Sequence, residues 1–383
     1  MKRLGTRRTR RRVIYLVATS GHPNYGDELI TRKWLRALAR TEPDAEVWVD
    51  CPNPGPSAAL LYGEHPHVRF TDTLFRLCWD SPSDEPLVVA EHVRTTLSDA
   101  GAAPRWVPGI VRLRDVDVFH VVGGGYVNSI WPRHLGLVAA ARWVAENTNA
   151  RVGATGLGLL PLDEDGAKVW SDASDAFDVL TVRDVASQDV LASSGADAVL
   201  APDDAFLGGL GSTLSNDPRS PDVMVCVQTD LVDGDFAQVV DLVRRTLTQW
   251  GAAGAGTGFV ECIPRVDRAI YDALREELPG ARFYSLWEIL EQGLPARAGQ
   301  RWISSRYHPH MLAAAAGASG VALDLNADYY GVKHAAVKSW GSGWEVATIS
   351  STSVRPGGPG DMPARAASHV EAVRLAASRL YGR

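Results

Sequence analysis

The sequence predicts an α/β protein made of two successive parallel-sheet domains facing a cleft. Three observations carry this. Short apolar runs rich in β-branched residues alternate with longer amphipathic stretches along most of the chain. The alternation breaks at 208–222 (GGLGSTLSNDPRSPD), where turn-forming residues dominate and apolar periodicity is lost. Gly-rich or charged loops follow the apolar runs, and in open parallel sheets ligands gather at the carboxyl ends of strands.

The elements follow in order. Residues 13–19 read as a strand, 20–28 as a loop and 28–39 as a helix, with Leu29, Ile30, Trp34, Leu35 and Leu38 at helical spacing. A strand at 46–51 completes a β-loop-α-β start. Residues 52–110 are rich in Pro and Gly and yield only fragments. Strands are then expected at 117–122, 151–159, 179–182 and 198–201, with helices at 132–147, 164–175 and 184–194. After the 208–222 linker come strands at 223–228, 258–263, 301–304 and 321–325, and helices at 236–250, 265–278 and 308–316. An amphipathic helix over 369–381 ends the chain, with Val370, Val373, Ala377 and Leu380 on one side. These readings divide the chain into a basic disordered tail (1–12), an N-terminal domain (13–210), a C-terminal domain (221–345) and a C-terminal segment (346–383).

A chain of 383 residues with 45% hydrophobic and 22% charged residues has the composition of a soluble globular protein with two cores. Its net charge is −6, but seven basic and no acidic residues occupy the first twelve, so the remainder carries −13. Such a tail is either a solubilising arm or a peripheral contact with an anionic membrane. No run approaches the ~20 apolar residues of a membrane span, and 13–18 is too short for a secretory core. Cys51, Cys78, Cys226 and Cys262 are widely spaced without a CxxC pair, which argues against a zinc site or disulfide framework and fits a reduced cytoplasm. The expectation is therefore a cytoplasmic protein without a metal.

The segment 303–310 (ISSRYHPH) is the strongest functional signal. An apolar strand stops, and Pro309 is placed to open a helix at its first position, where its missing N–H matters least. A helix start offers unpaired N–H groups and the positive end of the dipole. Arg306 beside it can hold a carboxylate or phosphate by two parallel hydrogen bonds, and His308 can donate to an anion or exchange a proton. Together with His310 these predict an anion site; the alternative is that Ser305 or His308 only caps the helix. Arg183, ending a strand, is either a second anion ligand or half of a salt bridge, and its neighbour Asp184 is placed to cap the next helix. Asp27 is either a base toward a hydroxyl or a cap. Gly123-Gly124-Gly125 reads as a phosphate or sugar loop, or as tight packing, and is not GxGxxG, which disfavours a dinucleotide site. Lys333 and Lys338 either reach the anion or are solvated. His120, in an apolar strand, reads as a buried structural residue.

Taken in order, these loops resemble the polysaccharide pyruvyl transferase family. The resemblance rests on Gly21, Asn24, Gly26, Asp27 and Glu28; on the 123–125 glycines; on Arg183, Asp184, Ser187, Leu191 and Gly195; on Ala201, Pro202 and Asp203; and on Ser305, Arg306, Tyr307, His308 and Lys333. It covers about residues 13–335. It departs at Tyr307, where Leu is usual, and at Pro309 and His310, where small apolar residues are usual. The resemblance implies two Rossmann-like domains in a GT-B-like arrangement. It implies a transferase moving the pyruvyl group of phosphoenolpyruvate onto two hydroxyls of a sugar, as a cyclic ketal. Arg183, Arg306 and His308 are implied donor contacts, with Ser305, Asn24, Gly124, Gly125 and Lys333 as further substrate contacts. Asp27 is the candidate base and His308 the candidate acid. The expected partners are phosphoenolpyruvate and a glycan acceptor, lipid-linked or free, and not nucleic acid; no cofactor is expected. The rival expectations are a glycosyltransferase using a nucleotide sugar and a non-catalytic glycan binder.

Overall fold

The structure is a computed structural model and describes residues 10–215, 217–230, 232, 235–326 and 331–382. Its first half contains strands β1 (Val13–Val17), β2 (Glu46–Asp50), β3 (Val68–Thr71), β4 (Val118–Val121), β5 (Arg151–Leu157), β6 (Val179–Val182) and β7 (Val199–Leu200). They form one parallel sheet in the order β3-β2-β1-β4-β5-β6-β7. Helices α1 (Tyr25–Thr41), α2 (Pro54–Leu61), α3 (Thr73–Trp79), α4 (Pro86–Ser98), α5 (Val107–Leu113), α6 (Gly136–Asn147), α7 (Glu164–Ala173) and α8 (Val185–Ser193) lie between the strands in sequence.

The second half repeats the plan. Strands β8 (Val223–Cys226), β9 (Thr257–Val260), β10 (Arg282–Tyr284), β11 (Arg301–Ser304), β12 (Ser319–Asp324) and β13 (Glu345–Thr348) form a parallel sheet in the order β10-β9-β8-β11-β12-β13. Its helices are α9 (Phe236–Gln249), α10 (Arg268–Leu274), α11 (Leu286–Gln292), α12 (Tyr307–Ala315) and α13 (Val332–Ser339), followed by α14 (Met362–Tyr381).

All five residues of β1 are buried, as expected for a central parallel strand covered on both faces. Alternation sends Ile14 and Leu16 to one core and Val13, Tyr15 and Val17 to another. The Ile14 core continues through Met224, Trp302 and Leu312 of the second half, so the two sheets share apolar packing rather than meeting only through a linker.

Three expectations need correction. Residues 52–110 contain four helices and a strand. Three of those helices begin with Pro in the first turn; α2 and α5 are short, and α2 buries only Ser57 and Leu61, so no long apolar period marks them, whereas α4 buries Val89, Val93, Thr96 and Leu97 at helical spacing. The final helix begins at Met362, not 369, and it crosses back to the first sheet: Leu380 packs within 2.6 Å of where a side chain on Gly153 would stand, and the Tyr381 hydroxyl meets His120 Nδ1 at 2.7 Å. Part of the expected tail is bound. Arg10 pairs with Asp117 at 2.6 Å, and Arg12 reaches Glu42 and the Tyr381 carbonyl; residues 1–9 of that tail lie outside the described residues. No described helix is long and apolar enough to cross a membrane.

Candidate active site

Parallel strands put the carboxyl ends of both sheets on the same side as the cleft, and the loops that leave β1, β4, β6, β8, β9 and β11 meet there. The cleft encloses about 350 Å3. Asn24, Asp27, Gly125 and Arg183 reach it from the first half, and Ser305, Arg306, His308 and Lys333 from the second. Two hydrogen bonds tie its flanks: Tyr25 N–H donates to the Cys262 carbonyl at 2.9 Å, and Trp340 Nε1–H donates to the Arg183 carbonyl at 2.7 Å.

Arg183 leaves the end of β6 and is 4% exposed. Its Nη1 donates to Asp203 at 2.8 Å, and its guanidinium lies over the Tyr307 ring at 4.1 Å. The remaining nitrogens pass between two glycines. A side chain on Gly158 would stand 2.8 Å from Nε, and one on Gly125 would stand 3.0 Å from Nη2. Gly125 therefore makes room for an arginine at the cleft. Gly123 makes room for buried Asp204, which accepts from Gly123 N–H, Trp34 Nε1–H and Thr155 Oγ–H at 3.0, 2.8 and 2.6 Å. Gly124 is not among the residues that line the cleft; its φ of 146° and the Tyr126 ring beside it make it a backbone position that favours glycine.

Arg306 is 8% exposed and forms a fork with Asp267: Nε lies 3.1 and 3.2 Å from the two oxygens and Nη2 lies 2.6 Å from Oδ1. This leaves Nη1 as the edge for a ligand. Asp267 also accepts from Cys262 N–H and Ile263 N–H at 2.8 and 3.0 Å.

Helix α12 starts two residues earlier than its proline suggests. Arg306 is the residue before its first turn, Tyr307 opens it, and Pro309 takes the third position. Proline fits there because a first-turn N–H lacks an intrahelical partner in any case. No side chain caps this helix. Ser305 instead accepts from Gln228 N–H at 2.8 Å, and Ser304 Oγ accepts from Arg306 N–H at 3.1 Å. The positive end of α12 is thus free to meet an anion. His308, in the first turn, crosses to the other half: its Nε2 is 3.4 Å from Asp203 Oδ1, and its ring fills the space above Gly26 of α1. His310 points the other way, to His334 at 3.1 Å and Ser342 at 2.8 Å, stacked on Trp344, so it is no part of the anion site.

Asp203 is buried, which opposes its ionisation, but His308, Arg183 and the Ala205 N–H outweigh this and hold its carboxyl well below the usual range. Asp27 shows the opposite balance. Loss of water raises its carboxyl above the ordinary value despite nearby His308, Arg183 and Lys333. Its Oδ2 accepts from Asn24 Nδ2–H at 2.8 Å, and it does not cap α1. Lys333 is pushed well below the lysine range by lost hydration, then by the repulsion of Arg183 and Arg306. Lys338 lies apart, donating to the Trp344 carbonyl. Asp184 caps α8 through Ser187 N–H at 2.7 Å, and His120 is buried, with burial pushing it down to about 3.

Sequence reading missed Asp267, which has no motif around it, and missed the role of Asp203 as shared counter-ion of Arg183 and His308. It also treated the cysteines as isolated. Cys226 and Cys262 sit at adjacent strand tips with sulfurs 3.5 Å apart, beside Asp267, all within 4.8 Å. Asp267 is there committed to Arg306 and two backbone N–H groups.

The polysaccharide pyruvyl transferase family model matches residues 24–326, which takes in most of both sheets and the cleft residues Asp27, Arg183, Asp203, Asp267, Arg306 and His308, but ends before Lys333. The chain belongs to the polysaccharide pyruvyl transferase family. Among solved structures, a UDP-N-acetylglucosamine 2-epimerase is similar at 8% identity with a TM-score of 0.52, over 97% of this chain and 90% of that one. A glycosyltransferase from Rickettsia africae ESF-5 is 12% identical with a TM-score of 0.50, over 97% and 94% of the two chains. Phytolacca americana UGT2, complexed with UDP-2fluoro-glucose and pterostilbene, is 12% identical with a TM-score of 0.50, over 97% and 91%. These likenesses establish the fold: two parallel-sheet domains in the GT-B arrangement shared by glycosyltransferases and epimerases. No curated protein matches the sequence. The family is a transferase family.

Proposed function

We propose that this family member transfers the pyruvyl group of phosphoenolpyruvate to two hydroxyls of a sugar, forming a cyclic ketal. The observation that carries the reading is the uncapped start of α12, with Arg183, Arg306 and Lys333 converging on it from both domains. A ligand with both a carboxylate and a phosphate suits two arginines on opposite walls better than a ligand with one anionic group.

In this reading the donor's carboxylate and phosphate meet Arg183, Arg306 Nη1 and the α12 N–H groups. A proton adds to the methylene carbon, and C2 becomes electrophilic. One sugar hydroxyl attacks C2, the C2–O bond to phosphate breaks, and the second hydroxyl closes the ring. Of the two hydroxyl protons, one balances the new methyl group and the other leaves with phosphate. Asp27, with its raised carboxyl, is the candidate base toward a hydroxyl, since a base works best with a pKa near the working pH. His308, oriented by Asp203, is the candidate acid toward phosphate. Fixed positive charge stabilises the departing phosphate without reorganising. The donor is already activated, so no cofactor is required.

The test is phosphate release from phosphoenolpyruvate across a panel of hexose glycosides, with the product checked for the pyruvyl mass increment. Release with ketal formation is expected. Thermal stabilisation by nucleotide sugars and none by phosphoenolpyruvate would instead favour glycosyl transfer.

A further inference from the structure

The cleft has a second wall that the charged residues do not use. Trp131, Tyr126 and His134 line it from the segment after β4, and Trp79 lines it from the end of α3. Trp79 is 54% exposed. An exposed indole beside a half-buried one on the same cleft wall forms an apolar face open to a ligand.

Both indoles are braced. Trp131 stacks on His134 with centroids 6.5 Å apart and planes at 19°, and His134 is itself fixed through Nδ1 to the Tyr126 carbonyl at 2.9 Å. Trp79 has the Arg133 guanidinium 5.6 Å from its ring centroid. Arg133 Nη1 donates to the Trp79 and Ser81 carbonyls at 3.2 and 2.9 Å, closing the end of α3 around it. Each ring thus has one face held by the protein, while the residue as a whole keeps contact with the cleft.

We propose that this wall is the acceptor subsite and binds a neutral glycan of at least two pyranose rings, one against Trp131 and the next against Trp79. The inference rests on the pyruvyl-transfer reading. A pyranose has a face of C–H bonds, slightly positive, that matches the negative face of an indole. Stacking by that face leaves the hydroxyls at the ring edge, which is where two of them must be free to react. The inner ring is Trp131's because that indole is half-buried, whereas Trp79 stands at the more exposed end.

The test uses wild type, Trp131→Ala, Trp131→Phe and Trp79→Ala. The probes are methyl glucoside, galactoside and mannoside against cellobiose, lactose and mannobiose, followed by calorimetry. Phosphoenolpyruvate is followed separately by thermal shift. Disaccharides are expected to bind more tightly than monosaccharides. Trp131→Ala weakens both by about fivefold to tenfold and Trp131→Phe restores most of it, by the strength of one aromatic contact. Trp79→Ala removes only the disaccharide's advantage. Unchanged sugar affinity in Trp131→Ala, or no sugar binding by wild type while phosphoenolpyruvate binds, overturns the subsite. Loss of phosphoenolpyruvate binding in wild type, with tryptophan-dependent sugar binding intact, overturns the donor reading and leaves the glycan wall standing.

Discussion

Replacing Arg306 separates what the residue does for the fold from what it does for a ligand. Arg306→Ala deletes the fork of 3.1, 3.2 and 2.6 Å to Asp267 and leaves a carboxylate that is 3% exposed. Breaking one side of a buried ion pair costs about 3–5 kcal/mol. Asp267 keeps its bonds from Cys262 and Ile263 N–H, so the lower end, about 3 kcal/mol, is expected. In a domain of this size that lowers the melting temperature by roughly 6–12 °C. The ligand loses one charge-assisted hydrogen bond, worth about 1.5–3 kcal/mol, or roughly tenfold to a hundredfold in affinity for phosphoenolpyruvate. The double variant Arg306→Met/Asp267→Asn removes both charges together and keeps a side-chain oxygen to accept from Cys262 and Ile263 N–H, so most of the lost stability should return while the affinity does not. Melting followed by circular dichroism and binding followed by calorimetry read the two separately. A single variant that melts with the wild type refutes the buried-pair argument, and a double variant that regains affinity along with stability removes Arg306 from the donor site.

Other outcomes follow from neighbouring contacts. Gly26→Ala favours helix α1 by about 1 kcal/mol, but its new carbon would fall 1.9 Å from His308 Nδ1, so phosphate release should drop by about tenfold or more with the fold intact. Tyr381→Phe removes the hydroxyl bonded to His120 and should cost about 1 kcal/mol in a urea titration, whereas an unchanged midpoint would deny that the last helix is anchored there. Burial raises Glu28 to about 8 and Asp50 to about 7, so between pH 6.5 and 8 the folded chain holds protons at these sites that the unfolded chain has released. Stability should therefore fall as pH rises through this window, by at most about 1.4 kcal/mol per pH unit for each group, and Glu28→Gln should flatten the slope.

The sequence was most readable where a single strand or helix carries its own signal. Strand β1 is a continuous apolar run and β4 and β6 are runs broken only by His120 and Thr181, and the chain turns to glycine or charge at their ends. Helices α2, α3 and α5 escaped because they are short, and β13 escaped because as an edge strand it buries only Ala347. Arg183 and Arg306 could be picked out from their positions at strand ends. Their counter-ions could not, because Asp203 and Asp267 are 20 and 39 residues away and only the fold makes them neighbours.

The sequence by itself determined the class of fold, the order of its two sheets and the edge on which a ligand would be met, because strand periodicity and strand ends are local properties. It also carried the motifs of the family to which the chain belongs. Tertiary structure decided which of the chosen residues share a cavity. It turned His310 into the core, gave Gly124 a backbone role and left α12 uncapped by drawing Ser305 to Gln228. It also brought the last helix home to the first sheet and gathered Trp79 and Trp131 on one wall. These are contacts between segments far apart in the chain, and no local pattern encodes which distant partner a side chain will find.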